Sequence, residues 1–171
     1  MATRSVALPA GAWMPTSDIA SWSSAQLQVK QSSGAVPSPR WLEWLFDDTT
    51  DEHIVTHFVM PSSYSSTPVL LIYYKCTSAT TGTAAFEARM SAVSDGDATD
   101  MDADAFATVN TGSATVPATA GYMDVISVAL TNADSVNGGD HLIVCLNRDV
   151  SADSVTGDLE VIGCDLQYAD S

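Results

Sequence analysis

The stretch Phe46-Asp47-Asp48-Thr49-Thr50-Asp51-Glu52, continued by His53-Ile54-Val55-Thr56-His57-Phe58-Val59-Met60-Pro61 and Tyr64, decides the fold class. An apolar run stops in an acidic turn. A second run then begins, ends at a proline and gives way to serines. Aromatic and β-branched residues alternating between turn formers mark strands. Ile54, Thr56, Phe58 and Met60 fall on one face, and Val55, His57 and Val59 on the other. The two runs read as the first hairpin of an antiparallel β-sandwich.

Outward from this stretch, the strand signals repeat. Residues 40–46 hold Trp41, Leu42, Trp44 and Leu45, which predicts burial on more than one side. Residues 68–76 are almost continuously apolar, as a central strand requires. In residues 82–93, Ala84, Phe86, Ala88 and Met90 oppose Ala85, Glu87, Arg89 and Ser91. Runs at 106–109, 122–130, 141–148 and 159–168 bring the total to about eight strands. Asn137-Gly138-Gly139-Asp140 and Thr156-Gly157-Asp158 are the strongest turns between them. With no long helix and no repeat, the pattern predicts an all-β antiparallel β-sandwich, jelly-roll-like or Greek-key.

Residues 1–39 differ from this pattern. They carry Pro9, Pro15, Pro37 and Pro39 and no sustained period, so they read as an extended N-terminal arm before a sandwich domain at 40–171. Within the arm, residues 5–8 and 26–29 can pair as strands. Residues 16–22 can form one helical turn capped by Thr16 or Ser17.

Composition narrows the partners. Of 171 residues, 21 are acidic and 6 basic, for a formal charge of -15. Binding to nucleic acid phosphates needs Lys and Arg, and anionic membranes repel such a chain, so neither is an expected partner. Asp greatly outnumbers Glu, which suits a loop-rich β protein because Asp bonds its own backbone in turns. No apolar run approaches the roughly 20 residues of a membrane span, and the first 15 residues lack the apolar core of a secretion leader. Cys76, Cys145 and Cys164 sit in apolar runs without CxxC spacing, as buried free thiols would.

The candidate chemistry is sparse. His53 and His57 share a strand face about 13 Å apart, too far to grip one ion, and His141 beside Asp140 reads as structural. Asp95, Asp97, Asp100, Asp102 and Asp104 are the densest set of possible ligands, and calcium favours such loops. The EF-hand pattern fails, since Ala105 replaces the turn glycine and Thr111 the bidentate Glu. A solvated loop is the favoured reading, with calcium the lesser alternative. No GxSxG or Cys–His arrangement occurs, so no catalytic residue and no enzyme are expected. Of Trp13, Trp22, Trp41 and Trp44, the last two lie three apart on a strand and face opposite ways. Core or subunit packing is favoured over a sugar-stacking platform.

Several features taken together resemble a β-sandwich family among virion proteins of tailed bacteriophages. They are the Phe46-Asp47 strand end with Asp51-Glu52, the Phe58-x-Met60-Pro61-x-x-Tyr64 strand end, and the apolar strand to Tyr74. The loop Thr77-Ser78-Ala79-Thr80-Thr81-Gly82, the strand with Phe86, and the run from Asp158-Leu159 to Leu166-Gln167-Tyr168 complete the set. The resemblance implies a jelly-roll-like, non-enzymatic homotrimer. Its role would be capsid decoration or cementing on the virion surface, with the major capsid protein as partner. Trp13, Met14, Pro15, Trp22 and Trp41 would supply the capsid and subunit contacts. The alternative is a receptor- or glycan-binding head or tail fibre module. A free carbohydrate-binding module is the third reading, against which stand the missing leader and the lack of a paired-Trp platform.

Overall fold

The computed structural model describes residues 2–16, 22–98 and 100–171 and consists of two six-stranded sheets packed face to face. The strands are β1 (Thr3–Pro9), β2 (Met14–Pro15), β3 (Ser23–Ser24), β4 (Gln26–Gln31), β5 (Arg40–Phe46), β6 (Glu52–Val59), β7 (Tyr64–Lys75), β8 (Thr83–Val93), β9 (Asn110–Thr115), β10 (Met123–Ala129), β11 (His141–Arg148) and β12 (Leu159–Asp170). The first sheet runs β10-β7-β12-β5-β4, with β1 also on β12. The second runs β2-β6-β11-β8-β9, with β3 also on β6. The only helical element among the described residues is a 3-10 turn, Ala10–Ala12. The all-β sandwich expected from the sequence is what forms.

The deciding stretch needs one correction. β5 and β6 are not a hairpin: β5 pairs with β4 and β12, whereas β6 pairs with β11 in the opposite sheet. Phe46 and Ile54 are both fully buried between the layers, and the acidic residues between them carry the chain across the roughly 10 Å that separates packed sheets. Phe46 then meets Phe86 of the facing sheet edge-on, with ring centroids 5.5 Å apart. The true hairpins are β4–β5 and β8–β9.

Residues 106–109 form no strand. The strand in this region is β9, whose Asn-Thr-Gly-Ser-Ala-Thr sequence has no apolar alternation. Its place comes from pairing with β8 and from close contact with β10. A side chain at Gly112 would come within 2.7 Å of the Ser127 carbonyl and 2.8 Å of Val128.

Of the segment expected as an arm, residues 3–9, 14–15, 23–24 and 26–31 are built into the two sheets. β1 pairs with β12 from Thr3↔Ala169 to Pro9↔Gly163, β4 pairs with β5, and β2 and β3 border β6. The two pieces at 5–8 and 26–29 therefore do pair as strands. Trp13 is 4% exposed and donates its indole N–H to Leu8 O at 3.2 Å. Buried Trp44 donates to Ala10 O at 2.8 Å. Removing this segment would strip the core of Leu8, Ala10 and Trp13. The helical turn expected at 16–22 falls mostly outside the described residues.

One buried cation ties the loops at one end of the sandwich together. Arg148 is fully buried on β11. It bonds Asp153 through Nε at 3.1 Å and Nη2 at 2.9 Å, Phe46 O at 3.0 Å, Gly157 O at 2.8 Å and Val155 O at 2.9 Å. Five bonds match the five N–H donors of a guanidinium. Asp153 also accepts from the Ala85 and Val155 amides, so one buried ion pair fixes three chain segments. The cysteines are free and buried, as expected. Burial pushes the Cys145 thiol up to about 12.

Candidate functional site

Strand alternation gives each sheet an outer face, and the two faces differ. On the second sheet, Trp22 stacks on His53 at 4.3 Å and lies 6.2 Å from Phe106. The Ser91 hydroxyl donates to Asp104 at 2.5 Å, and the Ala107 amide to Met90 O at 2.8 Å. The loop after β8 therefore folds back as a roof, beneath which Cys145 is fully buried. His57 lies beside His141, with centroids 5.4 Å apart, and His53, under Trp22, titrates below its ordinary value chiefly because it is buried.

The outer face of the first sheet is open. Register places Gln26, Leu45, Glu160, Lys75 and Met123 in one row across β4, β5, β12, β7 and β10. Gln28 and Glu43 lie one step along, followed by Lys30 and Trp41. Tyr73 and Val125 lie one step from Lys75 and Met123. Further along, Tyr73 Oη donates to Asp165 at 3.2 Å. Met123 and Val125 are exposed, and Trp41 and Tyr73 are half-buried.

Beneath Trp41 lies a buried charge cluster. Glu43 accepts from Gln28 Nε2 at 2.6 Å and Trp41 Nε1 at 2.7 Å, and it pairs with Lys75 Nζ at 2.9 Å. Lys75 also lies 3.5 Å from Glu160, whose Oε1 accepts the Thr77 hydroxyl at 2.5 Å. Glu160 Oε2 has no hydrogen-bond partner. Burial alone would raise the Glu43 carboxyl, but the bonds from Lys75, Trp41 and Gln28 outweigh it and hold the group below its usual value. Glu43 is thus kept as an acceptor, which fixes the indole in one orientation. Such preorganisation lowers the entropic cost of stacking a ligand on the ring. A carboxylate held ionised by a lysine and two further donors is also a poor general acid.

The five residues expected to make capsid and subunit contacts do not share a surface. Trp13 is in the core, while Met14 and Pro15 are exposed on β2. Trp22 roofs the second sheet and Trp41 sits on the outside of the first. Trp41 and Trp44 do face opposite ways, Trp44 being 1% exposed in the core. Three carboxylates of the acidic loop accept hydrogen bonds from the loop or the end of β8. Asp97 accepts the Ser94 amide, Asp100 the Asp102 amide, and Asp104 the Ser91 hydroxyl. Among the described residues, no three His, Cys, Asp or Glu side chains are grouped to hold a metal ion. Sequence reading passed over the Gln28–Glu43–Lys75–Glu160 set. Its only signal was Glu43, an acid inside the apolar run of residues 41–46.

At the end of the open face, Ser23, Gln26, Leu45, Asp47, Thr49, Thr50, Glu52 and Asp158 line a hollow of about 310 Å³. Burial, with help from the Asp47 and Asp158 charges, raises the Glu52 carboxyl. Burial with Asp47 and Asp48 raises Asp158. Hydrogen bonds from Thr49 hold Asp47 low. A raised acid takes up protons more readily in the folded state, so stability increases as pH falls from neutral through the raised values. The contributions of Glu43 and Asp47 have the opposite sign and are lost only as pH falls through their depressed values. The expected result is a Tm maximum at mildly acidic pH. Glu52→Gln should raise Tm at pH 7 and flatten the rise below it. A scanning-calorimetry series in which wild-type Tm falls steadily from pH 7 to pH 5 would refute this assignment. A larger cleft, about 630 Å³, lies at the opposite end of β7. It is walled by Tyr64, Thr67, Val69, Leu130, Ser135 and Val136, among others, with no charged side chain.

The two-sheet sandwich has the jelly-roll-like architecture also seen in carbohydrate-binding modules. A solved CBM28 module, described as specific for non-crystalline cellulose, superimposes with a TM-score of 0.52 at 8% identity, covering 92% of this chain and 89% of its own. The CBM22-1–GH10 structure of xylanase 10B from Clostridium thermocellum, complexed with xylohexaose, gives a TM-score of 0.49 at 11% identity over 96% of this chain. This chain spans only 27% of that one. CBM27-1 of Caldicellulosiruptor saccharolyticus, complexed with mannohexaose, gives 0.47 at 10% identity, covering 98% of this chain and 99% of its own. No family model and no curated protein matches the chain. The fold alone is what the CBM28 likeness shows. Of the expected phage resemblance, the jelly-roll-like sandwich is the part that this bears out.

Proposed function

We propose that the chain is a glycan-binding module that holds a neutral polysaccharide chain across the open face of its first sheet. The observation that carries this reading is Trp41, fixed by Glu43 over the Lys75–Glu160 cluster beside Gln26, Gln28 and Lys30. Sugar rings present apolar C–H faces and hydroxyl edges. An oriented indole beside amide side chains meets both, as in small-ligand sites that combine an aromatic wall with a few placed polar groups. The net charge of -15 disfavours polyanionic glycans through repulsion. The role is binding without turnover, since Glu43 and Glu160 are both engaged by Lys75. Non-crystalline cellulose, for which the CBM28 structure is described as specific, is the first probe to try, with soluble oligosaccharides beside it.

The test is affinity electrophoresis and calorimetric titration of the chain against amorphous cellulose and soluble xylo-, manno- and cello-oligosaccharides. Saturable binding with release of no reducing sugar is the expected result. Retention on assembled phage particles with no glycan bound would overturn the proposal in favour of capsid decoration.

A further inference from the structure

Four large apolar side chains left exposed lie on or within the β4–β5 hairpin: Leu27, Val29, Val36 and Leu42. Leu27 and Val29 are on the same face as buried Trp44, the face that points between the sheets, yet they are 46% and 69% exposed. The second sheet ends on this side in the two-residue strands β2 and β3, and among the described residues no further strand of that sheet covers β4.

Among the described residues, the outward backbone groups of Leu27 and Val29 also have no strand partner. The Ser32 amide donates to Pro39 O at 3.0 Å and extends the β4–β5 ladder. Hydrogen-bonded and non-hydrogen-bonded pairs alternate in an antiparallel ladder. Counting back, Lys30 and Gln28 turn their N–H and C=O groups toward β5, while Val29 and Leu27 turn theirs to the outer edge. Among the described residues no strand pairs with that edge. Exposed edges are normally blunted by bulges, prolines or several charges. β4 has no register shift, no proline and one charge, Lys30. The other edge of the first sheet is closed, because β9 packs against β10 at Gly112.

Charge selects the occupant. Residues 1–46 carry three bases and two acids, whereas residues 47–171 carry three bases and nineteen acids. Two copies of so acidic a chain repel each other least where they meet through the first 46 residues. On β4–β5 the single acid, Glu43, is buried.

We propose that two copies of the chain join through β4, pairing it antiparallel with its mate about a two-fold axis. With the axis at Gln28, Leu27 of each copy lies opposite Val29 of the other. These are the residues whose outward backbone groups have no strand partner among the described residues and whose side chains are exposed. Lys30 falls opposite Gln26, so no like charges meet. A symmetric contact of this kind is self-complementary and closes at two copies. It extends the first sheet across both molecules, so both Trp41 faces lie on one side of a continuous surface. The inference stands whether or not that surface binds glycan.

Sedimentation velocity on the full chain over a wide concentration range tests it. The expected result is a mass rising from 17.9 kDa to twice that value. Val29→Lys should remain a monomer with its circular dichroism and Tm unchanged, since Val29 is 69% exposed in the monomer. Gln28→Cys should give a covalent dimer on mild oxidation, because it puts one thiol opposite its own mate while the native cysteines are buried. A wild-type chain that stays monomeric, forms trimers, or dimerises equally well as Val29→Lys would overturn the inference.

Discussion

Arg148→Ala should remove a large part of the chain's folding stability. The change removes five hydrogen bonds at once and strands the Asp153 carboxylate, which is 2% exposed, without its cation. Breaking a buried ion pair from one side costs about 3–5 kcal/mol. A domain of this size has roughly 5–15 kcal/mol in total. The carbonyls of Phe46, Val155 and Gly157 would also lose their donor, and with them the link between the end of β5 and the loop before β12. Arg148→Lys should recover only part of the loss. One ammonium on a flexible stem cannot reach a carboxylate and three carbonyls spread around a planar fork. Replacing both partners by apolar residues of similar volume should cost less than Arg148→Ala alone, because no charge is then left buried. Guanidinium unfolding followed by tryptophan fluorescence reads all three variants. A loss under about 1 kcal/mol for Arg148→Ala would mean that the guanidinium is replaceable by solvent, contrary to its burial.

Trp41→Ala should remove most of the glycan affinity and leave the fold nearly unchanged. Truncating an aromatic anchor at the centre of a binding surface typically costs about 2 kcal/mol or more, a loss of roughly 30-fold. Trp41 is half-buried on an outer face, and Glu43 keeps its bonds to Lys75 and Gln28 when the indole is gone. Trp41→Phe separates two contributions. It keeps a ring to stack on and loses the N–H that orients it, so an intermediate affinity is expected. Glu43→Gln probes the same anchor from below. Titration calorimetry with the best oligosaccharide reads affinity, and Tm reads the fold. Unchanged binding by Trp41→Ala together with loss of binding by Tyr64→Ala would move the site to the cleft at the other end of β7.

Reading the sequence as a string of strands succeeded wherever one side of a strand is buried. Residues 40–46 and 141–148 are strands at those boundaries, and the runs at 68–76, 82–93, 122–130 and 159–168 match β7, β8, β10 and β12 within a few residues. Burial of alternate residues leaves a period that local sequence displays. β9 left no such trace, because backbone pairing and the space at Gly112 hold it. β1 and β4 were visible only as short pieces in a proline-rich segment.

The candidate site was harder to see. Gln28, Glu43, Lys75 and Glu160 come from four strands spread over more than 130 residues, and apart from the Trp41 indole on Glu43 their partners are distant in sequence. Each is an ordinary polar residue until register sets them side by side. Trp41 was noticed with Trp44, and their opposed faces told against a paired platform. Glu43, which orients Trp41, lies two residues away on the same strand, but the Gln28 and Lys75 that hold Glu43 in place lie on other strands.

What the sequence by itself determined is the all-β class, most strand positions, the buried thiols, and the use of Asp in turns, seen at Asp47, Asp100, Asp149 and Asp153. All of these follow from interactions within a few residues or from one-sided burial. Only the tertiary structure decided which sheet each strand joins, and so whether residues 46–64 make a hairpin or a crossing between layers. It also decided that β1, β2, β3 and β4 belong to the sheets, that Arg148 ties three segments together, and that one outer face is roofed while the other is open. Strand pairing in a sandwich is a long-range choice, governed by how buried faces fit across the core. The residues on the open face take their chemistry from that choice.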